Sequence, residues 1–216
     1  GLQQVFAGVG FKVLDNLSIG ANISYIYGDI THSVTTAFSN SSSFSSVRLD
    51  KISINDYKLD FGLQYSYKFN KKHVLNFGAV YSLGHSVNGK GYKYNQKWLN
   101  GADYPSTQTG DTITNAFSLP HTFGAGLTYV YDNRLTIGAD FTYQQWEDAK
   151  FYNEKSYFSN RTKIAAGAEF VPNPYSRNYL KRVRYRVGGY YSDPYTKVDG
   201  QDGTREYGVS AGFGFR

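Results

Sequence analysis

The sequence predicts an all-β protein, a transmembrane antiparallel β-barrel, and three observations predict it. Apolar and polar residues alternate with period 2 over runs as long as the about 9–11 residues that a tilted strand needs to cross a bilayer, where ordinary strands average about 5–6. The connections between runs alternate between tight turns and long polar loops, as short periplasmic turns and long outer loops do in membrane barrels. Tyr and Phe gather at both ends of the apolar stripes, where an apolar ring with a wet tip suits the headgroup zones. Composition agrees. The 216 residues carry 21 Tyr and 15 Phe but only 2 Trp, with 23 Gly and 5 Pro, a mix that fits pleats and turns better than helices. Mean hydropathy is −0.49, and no run approaches the roughly 18 apolar residues of a membrane helix. A helical membrane protein is therefore excluded.

Nine runs follow in order. Val5, Ala7, Val9, Phe11 and Val13 share one face of the first, and Asp15-Asn16 turns the chain. Leu17, Ile19, Ala21, Ile23, Tyr25 and Tyr27 make the second stripe, and Tyr57, Leu59, Phe61, Leu63, Tyr65, Tyr67 and Phe69 the third. Residues 70–72 turn into Leu75, Phe77, Ala79, Tyr81 and Leu83. The fifth run sets Phe123, Ala125, Leu127, Tyr129 and Tyr131 against Gly124, Gly126 and Thr128, and Asp132-Asn133 turns into the sixth, Leu135, Ile137, Ala139, Phe141 and Tyr143. Ile164, Ala166, Ala168 and Phe170 form the seventh stripe, Val183, Tyr185, Val187 and Tyr191 the eighth, and Tyr207, Val209, Ala211, Phe213 and Phe215 the ninth. Long loops are expected at 33–51, 91–118, 147–159 and 193–204, with 172–182 a longer connection where a tight turn was due. The opposite faces carry Gly, Ser, Thr, Asn and scattered ions, which suits a wet or plugged interior.

Counted from the loop side, the first run descends to the periplasmic turn at Asp15-Asn16 and the ninth also ends there, so the two chain ends fall on opposite sides. Single-chain bacterial barrels have even strand numbers with both termini usually periplasmic. The chain is thus expected to be one membrane-barrel domain, 1–216, that belongs to a larger barrel, with flanking strands outside it and, before Gly1, either a removed leader or a further N-terminal part. Phe215 resembles the aromatic terminus that barrel-assembly machinery reads, with Arg216 an added residue.

Function classes narrow by absence. There is no Cys, so no thiol nucleophile, disulfide or cysteine metal site. The +6 net charge is dispersed; Lys71, Lys72 and the Arg177–Arg186 segment are its densest parts, too sparse to predict nucleic-acid binding. His32, His73, His85 and His121 are scattered without the spacing of a triad or metal site. The 199–206 segment has oxygen ligands without the regular spacing of a calcium loop. The expectation is no enzyme, no cofactor and no metal.

Leu119-Pro120 opens a strand with Gly124, Gly126 and Tyr129; after Asp132-Asn133 the chain reads Leu135-Thr-Ile-Gly138-Ala-Asp140-Phe-Thr-Tyr143-Gln-Gln-Trp146. This pattern resembles the FadL/TodX family of outer-membrane transport proteins in its Bacteroidota form, as do Gly188-Gly189 before Tyr190-Tyr191-Ser192-Asp193-Pro194 and the later Tyr207–Gly212. The resemblance implies a 14-stranded barrel plugged by an N-terminal hatch, located in the bacterial outer membrane amid lipid and lipopolysaccharide, and passing long-chain fatty acids or other hydrophobic small molecules. The family's Asn-Pro-Ala hatch motif does not occur in this sequence. Some relatives instead serve as partners or shuttles in envelope protein-secretion or assembly complexes, and that alternative stands beside transport.

Two groups of residues carry candidate chemistry. Lys58, Asp60, Asp140, Lys163, Glu169, Arg184 and Arg186 face the polar side and are expected to line the lumen, where they would form a polar channel or anchor a hatch, or simply pair across strands to fill it. Phe38, Phe44, Lys93, Lys97, Trp98, Leu99, Tyr104 and Phe117 punctuate the long loops. They would capture a hydrophobic ligand and its carboxylate, or pack loop on loop.

Overall fold

The structure, a computed structural model, describes residues 1–39, 45–99, 102–103, 113–114, 117–150, 158–198 and 200–215. Strands β1 (Leu2–Leu14), β2 (Leu17–Thr36), β3 (Ser45–Lys68) and β4 (His73–Ser82) come first. Five shorter elements follow: β5 (His85–Val87), β6 (Gly89–Leu99), β7 (Ala102–Asp103), β8 (Ile113–Thr114) and β9 (Phe117–Leu119). Then come β10 (Thr122–Tyr131), β11 (Leu135–Gln144), β12 (Arg161–Phe170), β13 (Arg184–Ser192), β14 (Lys197–Val198), β15 (Gln201–Asp202) and β16 (Glu206–Gly214). The main sheet runs β1-β2-β3-β4-β10-β11-β12-β13-β16, every pair antiparallel. These are the nine predicted runs, in sequence order and paired neighbour to neighbour.

Register keeps the two faces apart. Phe61 pairs with Tyr81, Tyr81 with Phe123 and Phe123 with Tyr143, one apolar row across four strands. Asp60, Ser82, Thr122, Gln144 and Arg161 form a row on the polar face. On central strands, where a water-soluble sheet would bury its apolar side, Phe123 is 43%, Ile137 47% and Ile164 50% exposed. No described layer covers that face. Each such side chain gains about 1.5–3 kcal/mol on leaving water, so the face suits a bilayer and not a solvent boundary. Among the described residues no helix is long and apolar enough to cross a membrane.

Turn chemistry is local. Asp132 and Asn133 hold φ of 50° and 52°, the left-handed pair of a hairpin turn that Asp and Asn tolerate better than other non-Gly residues. Asn70 Oδ1 accepts the backbone N–H groups of Lys72 and His73 at 2.8 and 3.1 Å, closing the 70–72 turn as an Asx turn.

Two predicted loops are largely strand. Where 33–51 was expected to be a loop, β2 continues to Thr36 and β3 begins at Ser45, paired throughout. Where 91–118 was expected to be a loop, β6 pairs with β3 from Ser45–Trp98 to Ile54–Gly89. The result is a three-stranded extension, β2–β3–β6, that continues the wall about 30 Å beyond the apolar band, at about 3.3 Å per residue. The physical reason is a parity switch. Below the Tyr25–Tyr57 pair the apolar residues are odd-numbered. Above it Ile26, Ile30, Ile52 and Ile54 are apolar on the other face, and there they are covered.

The 172–182 connection is a folded segment. Asn178 caps a 3-10 turn, Tyr179–Lys181, by accepting the Leu180 N–H at 3.1 Å. Arg134 Nη2 donates to the Pro172 carbonyl, and Asn173 N–H donates to the Lys181 carbonyl at 2.8 Å. Val183, placed by the sequence on the apolar stripe, precedes β13 and is buried beneath this segment together with Val171.

Candidate functional site

The polar face has a built feature at each end. At the loop end, Ile52, Ile54 and Val87 are buried, with Ile26, Ile30, Phe117 and Leu119 packed on them. The β5–β9 pair supplies Val87, Phe117 and Leu119, so this ribbon lies on the polar-side face of the extension. The apolar contact continues from Phe117 to Trp146, whose ring centroids are 6.3 Å apart. Trp146 in turn meets Phe158 at 5.4 Å and Tyr195 at 5.2 Å. Backbone bonds lock the same path: Ser118 N–H donates to the Lys150 carbonyl at 3.1 Å and Ser159 N–H to Tyr195 at 2.9 Å. The described parts of the long connections therefore form a cap joined from β2 to the segment after β13.

A polar belt lies under the cap. Asp60 accepts from both Lys58 Nζ and Ser82 Oγ. Gln144 Nε2 donates to Thr122 Oγ1 at 3.4 Å, and Gln144 Oε1 accepts the Trp146 indole N–H at 3.1 Å. Arg161 Nε donates to Ser192 Oγ at 2.8 Å, lies 3.7 Å from Glu206 through Nη2, and stacks over Tyr195 at 5.6 Å. In the extension above, the Asp29 carboxyl is held below its ordinary value by the Ser53 hydroxyl and then by Lys51, which is itself raised. Burial is incomplete and the groups are mutually satisfied. This is a structural network rather than an acid–base pair awaiting a substrate.

At the turn end Glu169 spends both oxygens on guanidinium groups: Oε1 on Arg184 at 3.1 Å and Oε2 on Arg186 at 2.6 Å. A polar pocket of about 380 Å³ opens beside them, lined by Thr136, Glu169, Arg184 and, from the folded 171–182 segment, Tyr175 and Arg182. A separate apolar hollow of about 620 Å³ lies between Val9, Phe11, Ile19, Phe61, Leu63 and Phe123. Gly20, Gly62, Val80 and Gly124, from the opposite parity, also line it, and none of the ionic groups named above does.

Of the residues expected along the lumen, the structure brings together Lys58 with Asp60, and Glu169 with Arg184 and Arg186. Asp140 and Lys163 share the polar face but join neither group; Lys163 Nζ sits 5.4 Å over the Tyr190 ring. The expected capture residues do not converge in what is described. Phe38 is exposed just beyond β2, and Phe117 is half-buried in the cap. Lys93, Lys97, Trp98 and Leu99 lie along β6, opposite Asp50, Ser46 and Ser45 for the first three and opposite Ala102 for Leu99. Phe44 and Tyr104 lie outside the described residues. Among the histidines, His73 Nδ1 is 2.6 Å from Tyr129 Oη and His121 Nδ1 is 2.8 Å from Tyr81 Oη, each a cross-strand hydrogen bond. Among the described residues no group of His, Cys, Asp or Glu could hold a metal ion. Sequence reasoning missed Trp146, Phe158, Tyr195 and Arg182. Trp146 and Tyr195 were visible as aromatics at a strand end and in a polar loop.

The family model named BamG matches residues 1–216. The chain belongs to the BamG family. No curated protein matches it in sequence. In fold this BamG-family chain is similar to a Pseudomonas aeruginosa FadL homologue, with TM-score 0.58 at 17% identity over 100% of this chain and 55% of that one. It is also similar to the Ralstonia pickettii toluene transporter TbuX, with TM-score 0.60 at 15% identity over 88% and 55%. The Pseudomonas putida toluene transporter TodX gives TM-score 0.58 at 15% identity, again over 88% and 55%. The chain spans about half the length of these solved barrels. At such identities the likeness shows the fold, an outer-membrane type of antiparallel β-sheet matching part of a FadL-type barrel.

Proposed function

We propose that this BamG-family chain is part of an outer-membrane barrel that serves as a non-transporting partner subunit in an envelope protein-assembly complex, in association with proteins of the BAM complex. The observation that carries this reading is the family match along the whole chain. The cap supports it: the connections that would admit a hydrophobic molecule are tied into a packed unit from Ile52 to Tyr195, with the Lys58–Asp60–Ser82 and Arg161–Ser192–Glu206 groups self-satisfied beneath. A surface made of a rigid three-stranded extension and a packed cap is suited to hold another protein.

Transport of hydrophobic molecules, the principal expectation from the sequence, keeps one observation on its side, the fold shared with FadL-type and toluene-transporting barrels. One experiment separates the two. Depletion of the full-length protein should lower the amount of folded outer-membrane proteins while uptake of a labelled long-chain fatty acid, normalised to surviving barrels, stays level. Loss of uptake with undisturbed outer-membrane protein assembly would overturn the proposal.

A further inference from the structure

We propose that the turn-end pocket between β11–β12 and the 171–183 segment is a docking site for a carboxylate carried by an acidic segment of a protein partner. The inference rests on the partner-subunit reading above and names the surface through which one partner is held.

Charge is the first observation. Two guanidinium groups, Arg184 and Arg186, engage both oxygens of the one carboxylate, Glu169, at 3.1 and 2.6 Å, and a third, Arg182, lines the same pocket. A guanidinium carries five N–H donors and no acceptor, so two arginines sharing one carboxylate keep donors free. The imbalance extends outward. Lys12, Lys68, Lys71, Lys72, Arg134 and Lys181 surround this end of the sheet, where the described acidic residues are Asp15, Asp132 and Glu169. Asp15 already pairs with Lys12 at 3.2 Å.

The second observation is an orphan donor. Arg182 Nε is buried and has no hydrogen-bond partner, although its guanidinium stacks over Tyr179 at 5.5 Å. A buried donor left unpaired in a native protein calls for an explanation, and this arginine lines the pocket. A carboxylate arriving in the pocket would meet the outer N–H groups of this guanidinium, with Thr136 and Asn133, also in the lining, able to bond its remaining lone pairs. The pocket's 380 Å³ is many times the about 30 Å³ of one water, so a carboxylate side chain and accompanying water fit.

Position selects the occupant. Thr136 and Glu169 are on the polar face, paired across β11 and β12, and the 171–183 segment closes the pocket from the turn side through Arg134–Pro172 and Asn173–Lys181. A lipid headgroup reaches cations that fringe the apolar face, whereas these guanidinium groups sit on the opposite one. Planar, forked recognition of a carboxylate is what arginine offers over lysine, and both cations in the pocket's lining, Arg182 and Arg184, are arginines. A protein segment bearing Asp or Glu fits.

The test uses the full-length protein in isolated outer membranes, with the photo-crosslinking residue benzoylphenylalanine in place of Tyr175, which lines the pocket and is 92% exposed. A protein adduct is expected whose yield falls about tenfold when salt is raised from low to high ionic strength, because exposed charge pairs are screened within a shorter Debye length. Arg182→Gln should lower the same adduct about tenfold, because it removes one of the charges that attract the carboxylate, while the barrel keeps its heat-modifiable mobility. If that variant fails to fold, the salt series decides. An adduct indifferent to salt, adducts to lipid alone, or no adduct would overturn the proposal. If envelope proteins still co-purify with the wild-type protein in that case, only the pocket assignment has failed. If none co-purify, the partner reading fails with it.

Discussion

Replacing Ile52 by Ala should open the loop-end cap without unfolding the sheet below it. Ile52 is 1% exposed and packs with Ile54 and Val87, exposed 4% and 1%, under Phe117 and Leu119. Truncating a buried Ile to Ala removes transfer energy and leaves a cavity, a loss of about 2–5 kcal/mol. This cluster is small and held by one ribbon, so it can relax, and we expect about 3 kcal/mol. At about 1.4 kcal/mol per tenfold, that is more than a hundredfold in the local opening equilibrium. The amide to watch is Asn55, which donates to the Asn88 carbonyl at 3.2 Å across the joint between β3 and the ribbon. Hydrogen exchange by mass spectrometry on peptides covering 52–57 and 85–90 should quicken by that factor. Peptides covering β10 and β11, with their unbroken ladder from Thr122–Gln144 to Tyr131–Leu135, should not change. Equal protection in both regions of the variant would refute the idea that the cap is a separately cooperative unit. So would parallel loss in β10–β11, which would make Ile52 part of the wall's own stability.

Further outcomes follow from single features. Gly28 holds φ of 135° where β2 passes the end of β1, a conformation open essentially to Gly, so Gly28→Ala should cost about 1–3 kcal/mol in the thermal stability of the extension. Asp29→Asn should change acid behaviour. The Asp29 carboxyl is lowered below its ordinary 3.8 by Ser53 and Lys51, so its contribution is present above that value and fades as pH falls through the folded value. Lys51 is raised above 10.5 by Asp29, so its share is present below that value and fades as pH rises through the folded one. Protease resistance of the extension should therefore be flat between those limits, and the acid-side loss should vanish in Asp29→Asn. Phe158→Ala removes one of the rings on Trp146, worth about 0.5–1.5 kcal/mol as an aromatic pair; in a Trp98→Phe background the remaining emission should shift to longer wavelength. An unshifted spectrum would mean that Trp146 is not held by the cap.

The wall of this molecule was legible in the sequence because its physics is one-dimensional. Period-2 alternation in Phe123–Tyr131 and Leu135–Tyr143 needs only a lipid-facing side and a polar side, and the two φ-positive residues Asp132 and Asn133 mark the turn between them. The extension was less legible because there the rule inverts. Ile52 and Ile54 alternate with Lys51, Ser53 and Asn55 as a strand should, but on the parity that is polar lower down, so a search for one continued stripe stops at Tyr57 and does not carry the strand on into 45–51. Opposite parity on the same strand means that the environment of each face changes along its length: lipid then water outside, a wet interior then protein inside. That inference needs the partners, Val87 and Phe117, which lie far along the chain and come together only through the β5–β9 pairing. The same limit applies to the turn-end pocket. Glu169 and Arg186 could be matched as cross-strand ions, but Arg182 is brought beside them by the fold of 171–183, a segment whose polar, Pro- and Asn-containing sequence announces a loop and not its shape. Both ends of the polar face are therefore built by connections and not by the wall. In a barrel whose wall is fixed by the bilayer, it is the connections that remain free to specify a partner.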